Sequence, residues 1–411
     1  MRHNLHKTYM CRQVILIIFI LSLAPSAYCR EAAAIVVDAA DDTPLPKASV
    51  FDRNGRLAGL TSETGEMPTL ADSDYPVSIR CIGYDTRTIC RPTSSRIKMQ
   101  ELVYELPEAV VSSRKQEVLH LTGYLREFST LTTGSDTVTL FREKAVEYML
   151  PTAHTRKFRG WRIPRVLASK SYYRFTDING LDSVSDRFRQ HFSWSDWVGI
   201  ASHADLPEAL KGAEIASDTT YGKYSRALTW RRNGHRVDLD IDLLADTANL
   251  HWAPGIASFI RDGLDVYSFN MKYAFAGVGE NEILPNNISK MTYVIETKGR
   301  ALDLFRVFRH DTPYYVNTYA ELYITAREYL TVKQARKSEN RLPEYDITAI
   351  AAPPGAPEPE ASVKALIERV NNIDRSKEQL ATAPDKRLSG AKWAEKHKKN
   401  RFLQFLKSIL H

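Results

Sequence analysis

Apolar and polar side chains alternate through the middle of this 411-residue chain. Thr137-Val-Thr-Leu-Phe141, Val237-Asp-Leu-Asp-Ile-Asp-Leu243 and Tyr319-Ala-Glu-Leu-Tyr-Ile-Thr-Ala-Arg-Glu-Tyr329 carry the pattern, whose period of two belongs to strands that turn one face to a core. Residues 115–345 therefore read as an antiparallel β-rich domain, a curved sheet or half-barrel wrapped on a helix. That helix is predicted at Leu206-Pro-Glu-Ala-Leu-Lys-Gly-Ala-Glu-Ile215, with Asp205 as its cap and Pro207 in its first turn. Nearer the start the apolar runs shorten to Ala34-Ile-Val-Val37, Ala48-Ser-Val-Phe51 and Val77-Ser-Ile-Arg-Cys-Ile82, and Asn54-Gly55 is a hairpin signal. Residues 30–106 suit a seven-strand β-sandwich. The predicted class is mainly β with α additions: the sandwich, the larger antiparallel domain, then a helical C-terminal tail.

Both ends of the chain depart from this pattern. A basic stretch, Met1 to Gln13, leads into the apolar run Val14 to Ala24, which has the length of a secretory signal and is too short to span a bilayer. Residues 1–29 read as a signal peptide cleaved after Cys29, with Ala27 and Cys29 as the small residues a signal peptidase requires. A lipoprotein acylated at Cys29 is the weaker alternative, because the bulky Tyr28 stands where a small residue is expected. At the other end, residues 346–361 hold Ala351-Ala-Pro-Pro-Gly-Ala-Pro-Glu-Pro-Glu-Ala361, the composition of an extended linker. The basic helical tail 362–411 begins with the amphipathic Ser362 to Val370 and ends in a second helical stretch.

Charge is concentrated at those ends. The chain carries +7 in all, of which residues 1–29 contribute +3 and residues 386–411 contribute +7, leaving the body from Arg30 to Asp385 at −3. That excludes a basic nucleic-acid-binding domain. On the terminal stretch Trp393, Phe402 and Phe405 form part of an apolar side, while Lys396, Lys398, Lys399 and Arg401 belong to the polar one. Such a helix suits an anionic membrane surface or a partner, with the proline linker leaving it free to separate; the plainer reading is a polar mask on a packed helix.

Three blocks of the first domain carry a family resemblance: Thr43-Pro-Leu-Pro-Lys-Ala-Ser-Val50, Gly59-Leu-Thr-Ser-Glu-Thr-Gly65 and Ile79-Arg-Cys-Ile-Gly-Tyr84. In order and spacing they resemble the carboxypeptidase regulatory-like domain, a transthyretin-like β-sandwich. Gly65 would supply a turn at positive φ, and Gly83 would let the chain reverse before Tyr84 packs back. Met67 and Pro68 depart from the family pattern, as does Cys81. Leu106-Pro-Glu-Ala-Val-Val-Ser-Ser113, within which residues 107–114 form the linker to the next domain, resembles the segment that joins this module to the plug of TonB-dependent outer-membrane receptors. Too few residues remain for a barrel of about 22 strands. The resemblance thus implies a soluble or membrane-apposed protein of the Gram-negative envelope, periplasmic or associated with the outer membrane, whose module serves attachment or assembly and has no peptidase site.

No Walker loop, Gly-x-Ser-x-Gly elbow, His-Glu-x-x-His or Gly-x-Gly-x-x-Gly occurs, and no cofactor is implied. Three constellations could still carry chemistry. Asp238, Asp240 and Asp242 fall on one strand face about 7 Å apart in succession, close enough to share a calcium ion if other ligands arrive, or simply a solvated face. His191-Phe-Ser-Trp-Ser-Asp-Trp197 offers Trp194 and Trp197 as a sugar platform with Asp196 bonding hydroxyls, or His191 as a general base; its plain reading is a loop covering the sheet edge. Cys81 and Cys90 flank Gly83-Tyr-Asp85 and form either a cross-hairpin disulfide or two free thiols. The expectation is a non-enzymatic envelope protein that binds an envelope protein or glycan, with a hydrolase or carbohydrate-active site near His191 and Asp196 as the alternative.

Overall fold

The computed structural model describes residues 33–93, 95–102, 109–111, 117–132, 137–152, 158, 160–176, 182–185, 193–196, 198–200, 203–221, 227–242, 264–299, 314–340 and 350–372. Residues 1–32, read above as mostly signal peptide, and 373–411 lie outside them.

In the N-terminal module, β1 (Ile35–Asp38) runs parallel to β6 (Arg96–Met99). Beside this pair β3 (Leu57–Leu60), β2 (Ser49–Phe51), β4 (Val77–Arg80) and β5 (Arg87–Ile89) form an antiparallel sheet in that order. Val36, Leu45, Val50, Val77, Ile79, Ile97 and Met99 meet in one core. Gly65 sits at φ +76°, where a Cβ would come within 2.6 Å of the Val36 carbonyl oxygen, so only glycine makes this turn without strain.

The rest of the chain builds one sheet of eleven strands among the described residues. Its members are β7 (Ala109–Val111), β8 (Val118–Thr132), β9 (Thr137–Pro151), β10 (Trp161–Thr176), β11 (Asp182–Ser185), β13 (Ile215–Thr220), β14 (Ala227–Asn233), β15 (Arg236–Asp242), β16 (Leu264–Phe275), β18 (Ile288–Gly299) and β19 (Tyr314–Leu330). Two short strands, β12 (Ala204–Asp205) and β17 (Glu282–Ile283), pair separately. The order across the large sheet is β11-β10-β9-β8-β19-β18-β16-β15-β14-β13, and β7 lies parallel beside the last turns of β19. β19 therefore joins two antiparallel wings. At about 3.4 Å per residue, the 15 residues of β8 reach roughly 50 Å and the 17 of β19 about 60 Å.

Both faces of this sheet are covered. Leu119, Leu121, Leu125, Val146, Tyr148, Met291 and Leu322 point to one face, where Trp194, Val198, Ile200, Leu206 and Leu210 close the core. The opposite face meets the module and the helix over Ala361–Asn371. Alternation predicted which residues share a face, and the strands over 137–141, 237–242 and 319–329 stand where it put them.

Two expectations need correction. Residues 206–215 make only a 3-10 turn, Glu208–Leu210, and β13 starts at Ile215. The Leu206 and Gly212 amides bond to the carbonyls of Asn281 and Glu280, and Gly212 turns to φ +67°, so tertiary bonds replace the helical ladder. The proline-rich stretch, in turn, is not a free spacer where it is described. Residues 350–360 have no regular structure, but their last residues are tied to buried arginines and lead into α2 (Ala361–Asn371; α1 is Val332–Asn340). Val363, Leu366 and Val370 of α2 pack on Phe51, Phe128, Phe141, Tyr172 and Tyr319.

Candidate functional site

The seam between module and sheet gathers the most chemistry. Register lines up successive rows of side chains on the covered face. One row runs Tyr172, Phe141, Phe128, Tyr319, Val294, an aromatic strip that receives Phe51 of the module, its ring 5.0 Å from that of Tyr319. The next row alternates in charge across seven strands: Lys170, Glu143, Arg126, Glu321, Thr292, Lys272, Asp240. Opposite charges in facing positions stabilise a sheet as surely as apolar pairs do.

Glu321 is the hub of that row. Its carboxylate accepts from Arg126 Nε at 2.5 Å, Tyr319 Oη at 2.5 Å and Tyr323 Oη at 3.0 Å, and Arg80 of β4 comes within 3.4 Å. Arg126 is 1% exposed, so its remaining donors need acceptors. The proline-rich stretch 350–360, a strap across the seam, supplies them: the Pro357 carbonyl accepts from Arg126 at 2.6 Å, and the Glu358 carbonyl from Arg80 at 2.6 Å. Glu360 closes the network on Arg80 Nε at 2.5 Å. A proline-rich chain has no internal ladder occupying its carbonyls, which suits it to this task. Burial alone would raise the Glu321 pKa, but Arg126, Arg80 and Lys290 outweigh it and hold the carboxyl well below its ordinary value. Lys290 lies over the Tyr323 ring at 4.7 Å; burial and the two arginines push its ammonium down to about 8.

The sequence-predicted candidates are scattered around this seam. Asp238 pairs with Arg236 at 2.9 Å and Asp240 with Lys272 at 3.3 Å, so these carboxylates meet cations of the protein itself; Asp242 lies one row further along. Cys81 is buried, Cys90 exposed, and the two are unbonded. Trp194 corrects the sugar-platform reading: at 4% exposure it packs inside the core, with no ring face open to a ligand. Asp196 ends the short 3-10 turn Trp194–Asp196; His191 and Trp197 lie outside the described residues, as do Trp393, Lys396, Lys398, Lys399, Arg401, Phe402 and Phe405.

What fixes Trp194 is a cluster that sequence reading missed. Lys144 donates to Ser193 Oγ and Ser195 Oγ, each at 2.9 Å, while Ser193 Oγ and the Ser195 amide donate to Glu127 at 2.8 and 3.1 Å. A serine beside a lysine is a known nucleophile–base pairing. Here the ammonium and the carboxylate balance each other through the serines, and all four side chains are buried. The arrangement anchors the 193–200 segment to the sheet. Elsewhere, His203, Asp205 and Glu282 bring ligand-type atoms within 4.8 Å of one another on β12 and β17, all exposed, with His203 and Glu282 already paired at 2.7 Å. Tyr267, 56% exposed, and Tyr315 stand 6.3 Å apart at one end of the sheet. Ser193 with Ser195 and His203 with Asp205 are near in sequence, but Lys144, Glu127 and Glu282, which complete these groups, come from strands far along the chain.

No protein-family profile matches the chain, and no curated protein is similar to it. Among solved structures, one titled "Lipid-protein interactions in lipovitellin" is similar over 53% of this chain and 26% of its own, at 11% identity and a TM-score of 0.22. The chain thus spans about a quarter of that protein's length, and a likeness at that score supports no argument about fold or function.

Proposed function

We propose that this is a non-enzymatic exported protein of the Gram-negative envelope, with a binding or assembly role at the outer membrane. Its N-terminal module is read as a carboxypeptidase-regulatory-like sandwich, on the strength of the three sequence blocks and of a six-strand arrangement around one core. The observation that carries the reading is the seam: Arg80 of the module is shared between Glu321 of the sheet and Glu360 of the strap. Such a joint fixes an attachment module rigidly on a broad platform. The partners are an envelope protein or glycan for the platform and an anionic membrane surface for the basic tail.

The alternative, a hydrolase or carbohydrate-active protein with a site near His191 and Asp196, loses the sugar platform at Trp194, which is buried, while His191 lies outside the described residues. Fractionation of the native host with sequencing of the mature amino terminus tests the reading. The expected result is an envelope protein starting near Arg30, which moves from membrane to soluble fractions when residues 386–411 are deleted. Cytosolic protein still carrying Met1 would overturn it.

A further inference from the structure

Beside the arginine hub, the seam leaves a cavity of about 60 Å³ lined by Cys81 and Ile82 of the module and by Arg231, Asp238, Asp240 and Lys272 of the sheet. That is room for several waters or one small molecule. Two cations and two anions line it, and the pairing among them is uneven. Asp238 is taken by Arg236 and Asp240 by Lys272, and Lys272 also donates to the Pro46 carbonyl at 2.7 Å. Arg231, partly buried, faces Asp238 in register but makes no hydrogen bond or ion pair among the described residues. Its guanidinium, a planar fork of donors, lines the cavity without a bonded partner.

We propose that this cavity is a binding site for a small monocarboxylate, gripped by the Arg231 guanidinium with its short apolar part against Ile82. The guanidinium fork matches a carboxylate in two parallel hydrogen bonds. Two neighbouring aspartates disfavour a dianion such as phosphate, whose second charge would meet Asp238 and Asp240 with no cation left over. The site goes beyond the binding-or-assembly reading and does not depend on compartment or partner.

Cys81, in the cavity wall, is a built-in reporter, and exposed Cys90 on the same module is its control. Iodoacetate and iodoacetamide are similar in size and lose the same leaving group: in each case the thiolate sulfur bonds to the methylene carbon and iodide departs. They differ in charge, so any influence of nearby cations on thiol ionisation cancels in the ratio of the two rates. In the full chain, read peptide by peptide by mass spectrometry, the iodoacetate-to-iodoacetamide ratio at Cys81 should exceed that at Cys90 by about tenfold. Arg231→Gln should bring the ratio down to that of Cys90 while leaving the iodoacetamide rate at Cys81 little changed. Acetate should slow carboxymethylation of Cys81 in the natural chain, and phosphate at equal ionic strength should not.

Equal ratios at the two cysteines, an unchanged preference in Arg231→Gln, or a Cys81 inert to both reagents would each overturn the proposal. If Arg231→Gln fails to fold, Cys81 will react with iodoacetamide as fast as Cys90 does. The acetate competition on the natural chain then decides, and no protection counts against the site.

Discussion

Glu321 neutralises two guanidiniums that have no route to water, so its removal should cost far more than one hydrogen bond. Glu321→Gln is expected to lower stability by about 3–5 kcal/mol in chemical denaturation, because Arg126 is left buried without a countercharge and Arg80 keeps Glu360 alone; a loss below about 1 kcal/mol would contradict the hub. Its carboxyl is held well below 4.5, so as pH falls the unfolded chain takes up a proton before the folded one. The stability from this group is present above about pH 4.5 and fades below it, and the variant should lose that share of the acid-sensitive limb. Lys290 runs the other way. Burial first, then Arg126 and Arg80, hold it at about 8 against an ordinary 10.5, with Glu321 opposing. Between pH 8 and 10.5 the unfolded chain keeps a proton that the folded chain has lost, so stability rises with pH across that window. The stability of the natural chain relative to Lys290→Met should climb over that range; a flat difference would remove Lys290 as its source.

Among the elements, α2 and its strap do the joining that the sequence hid. Leu366 is buried against the aromatic strip, and Leu366→Ala should cost about 2–5 kcal/mol, measured by thermal or urea unfolding; a neutral result would mean that α2 leaves the strip without consequence. The strands were legible because period-two alternation is a property of each segment alone, as at Val237–Asp242. What covers a face is not such a property. Glu321, in Tyr319-Ala-Glu-Leu-Tyr323, reads as a polar residue facing water, yet it is buried because Arg80 and the strap arrive from more than 30 residues away in either direction. The proline-rich composition correctly predicted the absence of helix or strand over 350–360 and could not predict that free carbonyls would be recruited by arginines. Residues 206–215 failed for a related reason: cap and proline signals are local, while the bonds from Leu206 and Gly212 to residues 280 and 281 are not. Among candidate site residues, the aspartate row was placed correctly on one face, but its cations Arg236 and Lys272 came from register and not from motif.

For the whole molecule, the shared aromatic strip and arginine hub make module and sheet interdependent. Phe51 lies in the same cluster as Phe128, Tyr319 and Leu366, so neither part can open without exposing the other's buried surface. Scanning calorimetry should therefore find one cooperative transition for residues 30–372, with equal calorimetric and van't Hoff enthalpies. Two resolved transitions would show the module to be an independent bead.

The reach of Arg80 along the chain has a consequence for synthesis. Its carboxylate partners lie 241 and 280 residues further on, so during translation the module emerges long before the groups that complete its inner surface. Contacts of such separation must await slow loop closure, and until then a guanidinium destined for the interior stays hydrated at the surface. The last described stretch of chain to be made is thus the one that seals the first.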